Sequence, residues 1–281
     1  MVYRLQKQQR YYVFLLVFLA FVFLFWILYK DNISIANPDV LSQASYFENL
    51  VKGNLKEGLS LWNPYIYSGT VFLANPLSSL FYPLNVLNYL LPYVISYKII
   101  VFISLFLSSL FMFFYLRTIK RSNFASFFGA VSYAYSGMFI TWLFIPSFIS
   151  VILWFPLVIL LIELIITKEK YYYGVFLSLL FATQILSGGL QIFFYSTFIA
   201  ILYFALRLFY IDKRAKQKFV IRQSKYLFLF LLLSAILSSL FLLPIFEFGS
   251  QSIRSGGVSF EDASLHSIPL YGFVNLIMPN F

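Results

Sequence analysis

Cysteine is absent from this chain of 281 residues, and histidine occurs once, as His266. Without thiols there is no disulfide, no thiolate nucleophile and no Cys-ligated zinc. One imidazole also argues against a His-rich metal site and against a serine triad. Charge is scarce: Asp, Glu, Lys and Arg together make up 11% of the residues, less than half of the ~25% usual in soluble domains. No glycine-rich phosphate loop is present, and Ser136-Gly137 is not embedded in a GxSxG nucleophile elbow.

What fills the chain is apolar surface, 61% hydrophobic residues with 36 Phe and 22 Tyr. Several windows exceed the ~18 consecutive apolar residues that mark a spanning helix. The expectation is an all-α polytopic membrane protein with seven spans, at 11–29, 95–116, 124–144, 148–166, 171–187, 190–210 and 226–244. Residues 1–244 then form a transmembrane module that includes a long loop, 30–94, and 245–281 form a C-terminal segment. The apolar run after Arg10 has no small-residue cleavage site, so it is read as a retained span. No internal repeat is found, which weakens a transporter built from inverted repeats.

The net charge of +10 suggests nucleic acid until its distribution is considered. Basic clusters recur after every second span. Fifteen of the 20 cations fall on one side, from Arg4 through Arg117, Lys168 and Arg207 to Lys225. Lys30, Lys52, Lys56, Lys98 and Arg254 fall on the other. This asymmetry places the N-terminus in the cytoplasm, with loop 30–94 and the C-terminus extracellular. Most acids, including Asp31, Asp39, Glu48, Glu57, Glu247, Glu261 and Asp262, fall on the outer side. Glu163, near the inner end of the fourth span, is read as snorkelling to the interface.

The long loop has internal organisation. Leu41, Ala44, Phe47 and Leu50 recur at helical spacing within 40–53, predicting an amphipathic surface helix with Asp39 at its N-cap. LSLWNPYIYSGTVFLANP (59–76) follows, and its Asn-Pro and Ser-Gly pairs predict a loop of defined shape. Residues 76–92 are apolar but short and broken by proline, which fits an interfacial or re-entrant segment.

Candidate site residues all lie outside. Asp39 either caps the surface helix or acts as a general base on an acceptor hydroxyl, or helps to hold a divalent cation near a lipid phosphate. Glu247 and Arg254 either pair with each other or grip an anionic head group, since a guanidinium forks onto phosphate. Trp62, Asn63 and Tyr65 combine interfacial aromatics with turn chemistry. His266 is as readily a solvated loop residue. Gly188-Gly189 permits close helix packing or a sharp turn.

Taken together, Asp39, WNPYIYSG, AYSG (134–137), WFPL (154–157), SGGLQIFFY (187–195), LLPIFEFGSQSIRSGG and LIMPNF resemble the YfhO family of bacterial membrane proteins. That family belongs with the multi-spanning GT-C type glycosyltransferases. The resemblance implies sugar transfer from a polyprenyl-phosphate carrier to an extracellular cell-wall or teichoic-acid-like acceptor; the charge distribution argues against a nucleic acid partner, and a divalent cation is the one cofactor the site residues suggest. The resemblance also implies a catalytic role for Asp39, and Glu247 and Arg254 match the family's later acid and arginine. Family members carry histidines where this chain has Gly189 and near Pro146-Ser147. They are also longer, so this chain corresponds to an N-terminal module. A lipid-linked sugar flippase and a non-catalytic partner of a transferase are the competing readings.

Overall fold

The computed structural model describes residues 7–29, 50, 61–65, 68–211, 217–252, 255–257, 259–265, 267, 269–276 and 278. It is an all-α membrane architecture. Five apolar stretches are long enough to cross a bilayer: Gln8–Trp26, Tyr93–Thr118, Pro146–Lys168, Leu190–Tyr210 and Gln217–Leu237.

Helix α1 spans Lys7–Tyr29. A two-residue hairpin follows, β1 (Trp62–Asn63) and β2 (Thr70–Val71), and then single 3-10 turns at Pro76–Ser78 and Pro83–Asn85. The short α2 (Val86–Leu90) leads into the long α3 (Tyr93–Thr118). Beyond it come α4 (Asn123–Ala134), α5 (Gly137–Thr141), α6 (Pro146–Ile152) and α7 (Phe155–Lys168). The bundle is completed by α8 (Tyr171–Leu186), α9 (Leu190–Ile211), α10 (Gln217–Leu237) and α11 (Ser239–Ser250). A short helix, α12, covers Phe260–Ser264, and a 3-10 segment follows at Leu270–Leu276.

Three of the seven expected spans differ in detail, each for a local reason. The segment 124–144 breaks after Ala134, because the Ser136 side chain accepts from Phe139 N and starts a new helix. The twelve residues of α4 reach only ~18 Å at 1.5 Å per residue, short of a ~30 Å hydrocarbon core. Helix α8 has 16 residues and is also short. The last span begins earlier, at Gln217, because Lys218, Arg222 and Lys225 lie on its exposed side. It stops near Ser238, whose hydroxyl bonds back to the Ser234 carbonyl at 2.8 Å. Such backward bonds compete with the helical ladder.

Packing follows three centres. Leu16, Phe113 and Ala130 join α1, α3 and α4. Val158, Ile162, Leu177, Phe181, Phe204 and Leu227 join α7 to α10. Helix α3 lies against both α4 and α7 and so ties the two groups together. The third centre, with Phe72, Leu80, Tyr97, Leu105, Phe139 and Ile149, seats the hairpin and turns on one end of the bundle; Leu50 is buried in it too. Phe14, Phe18, Phe21 and Phe25 form an exposed stripe along α1, the pattern of a lipid-facing helix.

The antiparallel course of the helices gives the bundle two unlike ends. Arg117, Lys120, Arg121, Lys168, Lys170, Lys218 and Arg222 collect at one, the basic end. The hairpin, the start of α3, Pro146 and Ser187-Gly188-Gly189 collect at the other, the loop end.

Candidate functional site

Two Asn-Pro turns shape the loop end. Proline has no N–H to offer after an asparagine, so the next amide turns back to the side chain. Tyr65 N donates to Asn63 Oδ1 at 2.9 Å, and Leu77 N donates to Asn75 Oδ1 at 3.0 Å. Between them the strands pair Trp62 with Val71 and Asn63 with Thr70. The turn closes through Ser68 and Gly69, both at positive φ. Gly69 is required there: a Cβ would stand 2.5 Å from the Trp62 ring that covers it. Asn63 is buried, while Trp62 is 53% and Tyr65 74% exposed. The hairpin thus anchors through the amide and presents two aromatic faces.

Below the hairpin, a chain of buried polar groups runs through the segment 76–97. Ser79 Oγ donates to the Ser187 carbonyl at 2.6 Å, and Asn85 Nδ2 donates to the Ser79 carbonyl at 2.9 Å. Asn88 Nδ2 donates to Asn85 Oδ1 at 3.1 Å, and Ser96 Oγ donates to Asn88 Oδ1. Each of these side chains is buried. On the opposite side the same segment exposes Leu77, Pro83, Val86, Leu90, Pro92, Val94 and Ile95. The exposed face is apolar, while the polar groups join Leu80, Tyr82, Tyr93 and Tyr97 inside, a pattern that suits apolar surroundings. The segment is too broken to cross, which suits an interfacial and a re-entrant placement alike.

Close glycine contacts hold this cap on the bundle. Gly188 adopts φ +80, and a Cβ there would fall 1.8 Å from the Pro76 carbonyl oxygen. At Gly189 a Cβ would fall 2.6 Å from the Ser147 carbonyl. The glycine pair therefore makes both the turn and the close approach. It also brings together the two places where the resemblance expects histidines, and here they pack backbone to backbone. Nearby, Gln184 Nε2 donates to the Val151 carbonyl at 2.9 Å, and Trp154 Nε1 donates to the Tyr82 hydroxyl at 3.1 Å. Burial pushes the Tyr82 hydroxyl up to about 12, against the pull of its hydrogen bonds with Ser150 and Trp154. It stays a neutral phenol at any physiological pH.

The expected site residues divide into three groups. Trp62, Asn63 and Tyr65 share the hairpin. Glu247 lies exposed on α11 and makes no ion pair among the described residues. Asp39, Arg254 and His266, with the predicted helix over 40–53 apart from Leu50, lie outside the described residues. Among the described residues no three acidic or histidine side chains gather as a metal-holding group. The Ser79, Asn85, Asn88 and Ser96 chain escaped sequence reading, although asparagines three residues apart inside an apolar stretch were a usable signal.

Glu163 corrects one expectation. It is 2% exposed and does not snorkel. Arg207 grips it with two bonds, Nε to Oε2 at 2.7 Å and the NH2 group to Oε1 at 2.5 Å, and Tyr203 OH donates to Oε2 at 2.7 Å. A carboxylate taken out of water needs such a fork to offset its lost hydration.

No curated protein and no solved structure matches this chain. Residues 13–266, nearly all of it, match the family described as bacterial membrane protein YfhO. That match runs from the first span through the hairpin and the glycine turn to α12, and the chain belongs to the YfhO family of bacterial membrane proteins.

Proposed function

We propose that this protein is a membrane glycosyltransferase that moves a sugar from a polyprenyl-phosphate carrier to an extracellular cell-envelope acceptor, such as a cell-wall or teichoic-acid polymer. The observation that carries the reading is the ordered loop end: an anchored hairpin with two exposed aromatic faces, seated on a lipid-facing cap, in a chain of this family. Such a surface suits a ligand that is part sugar and part membrane lipid. Aromatic rings pack on sugar faces while the cap stays in hydrocarbon. The segregation of cations to the opposite end supports a cytoplasmic N-terminus and an extracellular loop end.

In this mechanism Asp39 takes the proton from an acceptor hydroxyl. The acceptor oxygen forms a bond to the anomeric carbon, the bond from that carbon to the phosphate oxygen breaks, and the electron pair leaves with the phosphate. Negative charge grows on that leaving group, so Arg254 supplies the largest stabilisation. Glu247 and His266 orient the donor head group, a divalent cation can share its phosphate, and Trp62 and Tyr65 wall the acceptor cleft. Translocation of the whole lipid-linked sugar would call for ionisable groups open to a path through the bilayer. The acid within a described span, Glu163, is instead closed by Arg207 and Tyr203, which favours transfer. Purified protein given a labelled polyprenyl-phosphate sugar and an acceptor tests the proposal. Product formation supports it, whereas translocation alone, or neither, contradicts it.

A further inference from the structure

A long apolar groove opens between α9 and α10 at the basic end, remote from the loop end. Phe204, Leu208 and Leu227 form its floor and are buried, while Phe209 and Phe228 stand exposed as its walls. The groove exists because α10 leans on α8 rather than on α9: the Phe230 ring sits where a Gly174 side chain would be. Its volume is about 620 Å³, within the ~300–1,000 Å³ of small-molecule sites. Lys225 lines an adjoining hollow that shares Val220, Ser224 and Phe228 with the groove. Lys218 lies two turns before Lys225 on the same helix face, and neither lysine has an acidic partner among the described residues. The neighbouring cations are occupied, Arg222 by Glu169 and Arg207 by Glu163.

We propose that this groove is a specific site for an anionic glycerophospholipid of the leaflet at the basic end, with an acyl chain between α9 and α10 and the phosphate at Lys218 and Lys225. An apolar slot with Lys225 in the hollow beside it, where neither Lys218 nor Lys225 has an acidic partner among the described residues, complements such a lipid in both of its parts. A basic pocket between spanning helices is a recognised lipid head-group site. The proposal does not depend on the transferase reading, whose donor would sit at the opposite end.

The test is native mass spectrometry of the chain released from nanodiscs of equal phosphatidylglycerol and phosphatidylcholine. Retention of phosphatidylglycerol over phosphatidylcholine is expected. Lys225→Glu should reduce it by at least about fivefold, which corresponds to ~1 kcal/mol per basic side chain at an anionic surface. Ala205→Phe fills the groove from an exposed position, and it should abolish retention, whereas Leu206→Phe on the outer side of α9 should not. Equal retention of the two lipids, or retention unchanged in Ala205→Phe, overturns the proposal. So does a dimer that Ala205→Phe dissociates, because the groove would then hold a second copy.

Discussion

The Ser79 hydroxyl donates to the Ser187 carbonyl at 2.6 Å, joining the segment after the hairpin to the turn between α8 and α9. Next to it, the Pro76 carbonyl rests on Gly188. The cap is therefore fastened to the bundle by a side-chain hydrogen bond and a close backbone approach. Gly188→Ala should be poorly tolerated, since both its positive φ and the Pro76 oxygen oppose a methyl group. A loss on the order of 1–3 kcal/mol is expected, read as a lower melting temperature in detergent. Gly137→Ala, where nothing lies within 4 Å of the new atom, should be neutral.

The Glu163–Arg207 pair should behave as a unit. Glu163→Ala leaves the partly exposed Arg207 guanidinium without its partner and should cost about 1.5–3 kcal/mol, the scale of hydrogen bonds to charged groups. Replacing both residues by methionine should recover most of that loss. Thermal unfolding in nanodiscs measures both, and a double variant no better than Glu163→Ala would refute the unit.

The apolar exposed face of 76–97 predicts which side touches lipid. Because the chain has no cysteine, single cysteines report without background. Cysteines at Val86 and Leu90 should react slowly with a water-soluble maleimide and be reached by lipid-borne probes. A cysteine at Tyr65, on the hairpin, should react readily. Equal reactivity at all three positions would mean that the cap faces water.

Tyr82 links pH to stability. Burial pushes its hydroxyl up to about 12 in the folded chain, from the ordinary 10.0. Between those values the unfolded chain has lost the proton that the folded chain keeps, so stability falls as pH rises. Below pH 10 the contribution is fully present, and across the window it declines by about 1.4 kcal/mol per pH unit. Tyr82→Phe should flatten that alkaline decline. It should also cost about 1 kcal/mol at neutral pH through the stranded Trp154 N–H. Parallel alkaline limbs for both proteins would contradict the assignment.

Much of this was legible in the sequence where one physical effect dominates. Helices α1, α3 and α9 follow from apolar runs near twenty residues, and their ends fall within a few residues of expectation. The turns at Asn63-Pro64 and Gly188-Gly189 were readable because those residue types leave the backbone few alternatives. The break at Ser136 was harder, since a capping serine looks the same in sequence as one inside a helix. Glu163 and Arg207 lie 44 residues apart on separate helices, and no local pattern couples them. Positive-inside counting placed Glu163 near an end correctly but could not see its partner. The polar chain from Ser79 to Ser96 was hidden for a similar reason. A buried asparagine must find its partners in other turns of the chain, yet in composition it reads as a weak helix position.

The proposed transfer rests on Asp39 as the acid-base residue. It is tested most directly by sugar transfer from a labelled polyprenyl-phosphate donor, comparing the unaltered protein with Asp39→Asn at equal amounts of folded protein. Asparagine keeps the shape and the capacity to cap a helix but cannot take a proton. A loss of about a hundredfold or more in rate, the scale of general-base catalysis, is expected, with donor binding retained. Full transfer activity in Asp39→Asn would contradict it.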